Sequence, residues 1–235
     1  MTLKIGILNS DFVRPELAGT FGEYPHMFSE LLKNPDPSVE FISYDVILGV
    51  YPDNIDDVDA YLITGSKFSV YDNEDWIRRL GSFVVELNDR KKKLLAICFG
   101  HQMVAHFLGG KTAKSDVGWT VGVHSCLMME DVFGNNCDGQ VLNFLASHQD
   151  QVIELADGAR TIASNENCPH VMTRIGDHIL TLQWHPEFTK DYLEKLLHIR
   201  RDLLGDELFL PALDSLSMPI DNDQFSHWAI DFMRG

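Results

Sequence analysis

The sequence predicts an α/β protein: a doubly wound, mostly parallel sheet with helices on both faces, plus a smaller β-rich extension. Three observations predict it. Through residue 110, short apolar runs alternate with longer stretches whose apolar residues recur at helical spacing. Strands separated by helices of that length need parallel crossovers, which place helices on both faces. From residue 111 the rhythm changes to short β-rich runs joined by turns.

Each element follows in order. Residues 5–8 form a first buried strand. Residues 21–33 carry apolar side chains at 24, 27, 28, 31 and 32, a helical pattern that Asn34-Pro-Asp-Pro37 stops. Residues 39–44 read as strand two, and residues 60–64, closed by Gly65-Ser66, as strand three. A helix over 74–90 puts Trp76, Leu80, Phe83, Val84 and Leu87 on one face. Strand four spans 94–97, and a helix over 100–108 ends at Gly109-Gly110. Residues 121–129, 159–165, 171–175 and 179–184 read as hairpins or a mixed-sheet extension. A periodic helix covers 189–204, and the last thirty residues form one or two short helices packed on the body. Neither a repeat nor a Pro/Gly/Ser-rich linker divides the chain. Residues 1–235 therefore read as one domain, with a core over about 3–204 and a helical extension over 205–235.

Composition narrows the function. The chain has 235 residues, 45% hydrophobic and 23% charged, with 35 Asp+Glu against 19 Lys+Arg, a formal net charge of -16. Phosphate backbones need clustered cations, so this balance argues against nucleic acid and against an anionic membrane surface. The one basic run, Arg90-Lys-Lys-Lys93, precedes an apolar strand and reads as a solvated helix end. No stretch of 18 apolar residues is present, and residues 3–8 are too quickly interrupted for a signal peptide. Cysteines 98, 126, 137 and 168 show no C-x-x-C spacing, which fits free thiols and a cytoplasmic location. His101 and His106 are five apart on a helix, about 140° round its axis, and no Cys/His ligand set appears. Neither metal nor cofactor is expected.

Four segments carry candidate chemistry. In Leu94-Leu-Ala-Ile-Cys98-Phe-Gly100-His-Gln102 an apolar strand runs into a cysteine, a glycine and a helix. A thiol there is held out of the strand at a helix N-terminus, whose free N–H groups favour a thiolate and an oxyanion. A buried core cysteine is the other reading of this segment. In Gln183-Trp-His185-Pro-Glu187 a carboxylate two residues from an imidazole can orient and polarise it, as a cysteine nucleophile requires of its base. A capping histidine and a helix-start glutamate fit the same residues. Gly65-Ser66 follows strand three, whose C-terminal end shares a rim with that of strand four. Its backbone can complete an oxyanion hole with the N–H of Phe99, or be only a turn. Ser147-His148-Gln149-Asp150 groups polar side chains in a loop that suits a polar ligand or an ordinary turn.

Together, Cys98-Phe-Gly100-His-Gln102, Ser147-His-Gln-Asp150 and Gln183-Trp-His185-Pro-Glu187 resemble the three signature blocks of class I glutamine amidotransferases, in order and spacing. The resemblance covers roughly residues 3 to 200 and implies a flavodoxin-like fold. It is similar both to the amidotransferase domain of GMP synthase and to γ-glutamyl peptidases. It implies a triad of Cys98, His185 and Glu187 and a γ-glutamyl thioester on Cys98. Phe99 and Ser66, or Gly65, would donate to the oxyanion. Gln102 and Ser147, His148, Gln149 and Asp150 would hold the amino and carboxylate ends of the substrate. Ala96 departs from the family, which usually has glycine two residues before the cysteine, and this slightly crowds the elbow.

The expected activity is hydrolysis of the γ-amide of glutamine, with ammonia passed to an acceptor or synthetase subunit on another chain. The alternative is a γ-glutamyl peptidase acting on its own. A second alternative is a non-catalytic binding module on the same fold. On the first two readings the partner is a small molecule, glutamine or a γ-glutamyl compound.

Overall fold

The computed structural model describes residues 2–131, 134 and 137–235. In chain order the elements are β1 (Lys4–Leu8), α1 (Pro15–Phe21), α2 (Tyr24–Lys33), β2 (Glu40–Tyr44), β3 (Ala60–Ile63), α3 (Asp75–Asp89), β4 (Lys93–Ile97) and α4 (Phe99–Phe107). Then come β5 (Lys111–Lys114), β6 (Thr120–Met128), β7 (Val141–His148), β8 (Asp150–Glu154), β9 (Ala159–Asn165), β10 (Cys168–Ile175) and β11 (Ile179–Leu182). Helices α5 (Lys190–Leu204), α6 (Asp206–Ser215) and α7 (Asn222–Arg234) follow.

Nine strands form one sheet in the order β2-β1-β3-β4-β11-β10-β9-β6-β7, and β5 and β8 pair separately. The first five run parallel. The other four continue antiparallel. Successive residues of a strand point to opposite faces, and this alternation builds two cores. Ile5, Ile7, Leu62, Leu95, Ile97 and Leu182 face Phe28 and Leu32 of α2 and Phe225 and Trp228 of α7. Leu8, Tyr61, Ile63, Leu94 and Ala96 face Leu80 and Val84 of α3 and Phe99 and Met103 of α4. A third cluster joins α1, α5 and α6 to Val121, Val123 and Leu145.

This is a mixed α/β sheet with a parallel core and helices, and two details differ from the sequence reading. The helix expected over 21–33 begins at Tyr24 as α2, and a separate helix that was not expected, α1, precedes it. Gly22, at φ 75°, ends α1, and Pro25 in the first turn of α2 starts the next, where its missing N–H costs nothing. The β-rich runs after residue 111 form the expected mixed-sheet extension, joined to the parallel strands where β11 returns to pair with β4. Residues 147–150 are not a loop: β7 ends at His148 and β8 starts at Asp150, with only Gln149 between them. Polar side chains at these strand ends face a cavity, so they hide the strand pattern.

Candidate functional site

The site begins where β4 ends. Its last residue, Ile97, is followed by Cys98 as the N-cap of α4, so the chain turns within one residue. Cys98 takes φ 51° and ψ -100°, a conformation that costs a non-glycine residue energy and persists only when its surroundings impose it. The surroundings are explicit. The Cys98 N–H donates to Leu182 O at 2.8 Å, tying the turn to β11. A Cβ on Gly100 would stand 2.8 Å from Ile63 Cβ and 2.9 Å from Ile63 O, so α4 starts in contact with the end of β3. Ala96 is fully buried with the α3 and α4 side chains, so its methyl sits in the core beneath the elbow.

His185 lies three residues beyond β11. Its N–H donates to Leu145 O at 2.8 Å, pinning it to β7. Its ring stacks on Phe188, with centroids 4.0 Å apart and planes 3° apart. Nδ1 donates to Glu187 Oε1 at 2.8 Å, and both side chains are buried. Burial opposes charge on the ring, but the Glu187 carboxylate and the Cys98 sulfur outweigh it and raise the pKa well above the usual histidine range. With Nδ1 engaged, Nε2 is left for the sulfur. A Cβ on Gly65 would stand 3.0 Å from His185 Cε1 and 3.6 Å from Cys98 Cβ, so the end of β3 forms the third wall. Phe99, at the first helical position, has an N–H with no intrahelical acceptor. The structure thus gathers Cys98, Phe99, Gly65, Ser66, His185 and Glu187 at one end of β3, β4 and β11.

Two adjoining cavities open onto these groups. One, of about 350 Å³, lies over Cys98 and is lined by Ser66, Gln102, Ser147, His148, Gln149 and Asp150 among others. The other, of about 410 Å³, lies over His185 and is lined by Gly65, Phe188, Tyr192 and Leu196 among others. A groove of about 830 Å³ runs behind Glu187 between α2 and α5 and does not reach Cys98.

Comparison with known proteins gives the family of the chain. The family model described as glutamine amidotransferase class-I matches residues 40–197. The chain belongs to that family. It is 32% identical to γ-glutamyl peptidase 3 of Arabidopsis thaliana, over 83% of this chain and 79% of the relative. It is 27% identical to one subunit of the glutamine-hydrolysing GMP synthase of Saccharolobus solfataricus, over 78% of this chain and 93% of the relative. A crystal structure of a glutamine amidotransferase from Thermotoga maritima superposes with a TM-score of 0.77 at 15% identity, covering 100% of this chain and 97% of the other, which is a likeness of fold.

Within this class I amidotransferase fold, the other residues singled out in the sequence have specific positions. Gln102 Nε2 donates to Asp150 O at 2.8 Å and to Gln183 Oε1 at 3.2 Å, so its amide ties α4 to the start of β8. His148 Nδ1 lies 3.0 Å from Asp150 O, an acceptor only, so Nδ1 carries the proton. Burial pushes the pKa of His148 down to about 3, which keeps it neutral, and its buried Nε2 is an acceptor without a partner among the described residues. Ser147 Oγ accepts from Arg200 at 2.6 Å.

Several residues at the site escaped the sequence reading. Gln183 Nε2 stands 3.7 Å from Cys98 Sγ. Its place in the Gln183-Trp-His185 block was visible, but the side chain's direction was not. Arg14, Lys67 and Arg200 line both cavities, and nothing in their local sequence distinguishes them from surface cations. Among the described residues, no group of three or more His, Cys, Asp and Glu is placed to hold a metal ion, and no helix is long and apolar enough to cross a membrane.

Proposed function

We propose that the chain is a cysteine hydrolase that cleaves γ-glutamyl bonds of small peptides without a partner chain. The observation that carries this reading is the pair of cavities. One stands over the candidate nucleophile Cys98 and takes the γ-glutamyl group, and the other stands over the candidate base His185 and leaves room for an amine larger than ammonia. The γ-glutamyl peptidase named above is the more similar of the two relatives and supports the same choice.

The proposed mechanism uses these groups in turn. The Cys98 thiol gives its proton to His185 Nε2, and the sulfur attacks the γ-carbonyl carbon. The carbonyl oxygen becomes an oxyanion facing the N–H of Phe99 and of Gly65 or Ser66. The C–N bond breaks as His185 returns the proton to the departing nitrogen. This leaves a γ-glutamyl thioester on Cys98 and a free amine. Water then attacks the thioester and gives a proton to His185. The C–S bond breaks, glutamate leaves, and the proton returns to the sulfur. Glu187 holds Nδ1–H throughout, fixing the ring and favouring its charged form. Gln102 and the 147–150 segment hold the glutamyl amino and carboxylate groups.

The same acyl chemistry on glutamine releases ammonia, and the likeness to the GMP synthase relative favours this second reading. Glutamate release from a γ-glutamyl dipeptide and from glutamine, measured on the purified chain, decides between them. The proposal expects the higher kcat/KM with the dipeptide. A preference for glutamine that rises on adding a synthetase partner would overturn it. The free thiols of Cys98, Cys126 and Cys168 support a reducing compartment such as the cytoplasm.

A further inference from the structure

The chain carries 35 acidic residues against 19 Lys+Arg, yet the two cavities reverse that balance. Their linings hold Arg14, Lys67, Lys114 and Arg200 against only Asp11 and Asp150. Asp11 is already committed. It accepts from Lys67 Nζ at 3.0 Å, from the Lys67 N–H at 2.9 Å and from the Phe12 N–H at 2.9 Å. Lys67 is neutralised by that pair.

Arg14 and Arg200 are not. Neither forms an ion pair among the described residues, and both line the two cavities. Arg200 is fixed in place: Nη1 donates to Ser147 Oγ at 2.6 Å, and the guanidinium stands 5.4 Å from the Trp119 ring centre. Burial lowers its pKa from the usual arginine value, and the nearby Arg14 guanidinium adds to that. Two guanidinium groups that line the same cavities and are ion-paired with no carboxylate among the described residues form a site for an anion, whose arrival relieves their repulsion.

The direction of the reaction says which anion. The acyl half of the substrate must place its carbonyl carbon at Cys98, so it fills the cavity over Cys98. The departing nitrogen must face His185 to be protonated, so the rest of the amine half extends into the cavity over His185. There, Arg14 and Arg200 stand beside the apolar side chains of Val13, Phe188 and Leu196. We infer that Arg14 and Arg200 bind the carboxylate of an amino acid or peptide leaving group, so that the preferred substrate is a γ-glutamyl peptide with a free C-terminus and an apolar side chain next to the scissile bond. This inference rests on the proposed hydrolysis at Cys98 and adds to it the chemistry of the half that departs.

Calorimetric binding to the full chain carrying Cys98→Ala tests it without turnover, using γ-glutamyl-leucine and its C-terminal amide. The free acid should bind at least about tenfold more tightly than the amide, as a charge-assisted bond to a carboxylate implies. Arg14→Gln in the same background should bring the two to within about twofold, and Arg14→Glu should favour the amide. Arg14 is exposed, so these variants leave the core untouched. Equal affinities for acid and amide would overturn the inference, as would no binding of either. So would a loss in Arg14→Gln that weakens both equally, since the carboxylate read would then be that of the glutamyl half. Turnover by the unmodified chain separates the two levels. Glutamate released equally well from both compounds would leave the hydrolase standing and remove the inference. Tight, carboxylate-dependent binding with no release from either would do the reverse.

Discussion

The two halves of the sheet contribute differently. The parallel half supplies fixed backbone: β3, β4 and β11 are buried along nearly their whole length, between α2 and α7 on one face and α3 and α4 on the other. From its ends come the strained Cys98, the helix start at Phe99 and the Gly65 turn. The antiparallel half supplies polar walls. Its strand β7 mixes buried and half-exposed residues and ends on His148, and its backbone at Leu145 holds His185. The difference teaches a division of labour. Two-sided burial can hold an unfavourable backbone conformation in place, whereas one-sided strands can turn polar groups into a cavity.

The largest break falls on the parallel half. Cys98→Ala should lower γ-glutamyl hydrolysis by at least about a thousandfold while the circular dichroism spectrum stays unchanged. Replacing Cys126 or Cys168 by Ala should not. Both are buried with thiols pushed up to about 12, mainly by burial, so iodoacetamide should label neither in the folded chain.

Next comes the junction of the halves. His185→Ala should cost about a hundredfold to ten-thousandfold in turnover and slow alkylation of Cys98. Glu187→Gln should cost less, because it keeps a hydrogen-bond acceptor and loses only the charge. It should also lower the pH at which the His185 ring loses its proton, since the carboxylate is the main influence raising it. Histidine ring resonances followed through a pH titration measure this.

Two glycines sharpen the contrast. Gly100→Ala drives a methyl against Ile63 in the parallel half, and should cost about 1–3 kcal/mol in urea unfolding together with activity. Gly122→Ala in β6, at φ 99°, meets Ser215 Oγ at 2.5 Å and Ala212 Cα at 3.0 Å. It should loosen α6 and cost similar stability while leaving turnover nearly intact. Equal activity losses in the two variants would erase the division between the halves.

The smallest effect is with pH. His101, whose Nδ1 is 2.6 Å from Thr181 Oγ1, and His148 both have pKa values pushed down to about 3 by burial. Unfolded histidines titrate near 6.5. Their contribution to stability is therefore complete above about pH 6.5 and is lost as pH falls toward 3. His185 has the opposite sign: its raised pKa stabilises the fold below its unfolded value and ceases to as pH rises through the folded one. The melting temperature should fall below about pH 6.5, and less steeply in His148→Gln.

Legibility in the sequence follows the same division. The parallel strands were readable because burial on both faces leaves unbroken apolar runs such as Ala60-Tyr-Leu-Ile63. Strand β7 was not, because Asn143, Ser147 and His148 interrupt its pattern for reasons of pairing and cavity lining. Helix α1 was missed because it is only seven residues long and buries Leu17 alone, too little to write an apolar period. Cys98, His185 and Glu187 were legible because their spacing relative to a strand end or to each other carries a chemical meaning of its own. Arg14 and Arg200 carry no such local signal.

By itself, the sequence determined the fold class, the family and the residues to suspect, because apolar periodicity and short-range spacing are written in consecutive positions. Tertiary structure decided what those residues meet. It placed Gln102 on the Asp150 carbonyl and fixed which nitrogen of His148 is bare. It also brought two guanidinium groups 186 positions apart in the sequence to one cavity in an acidic protein. Those outcomes depend on contacts between distant segments, whose geometry is set only when β11 returns to lie beside β4 and the two halves of the sheet close on each other.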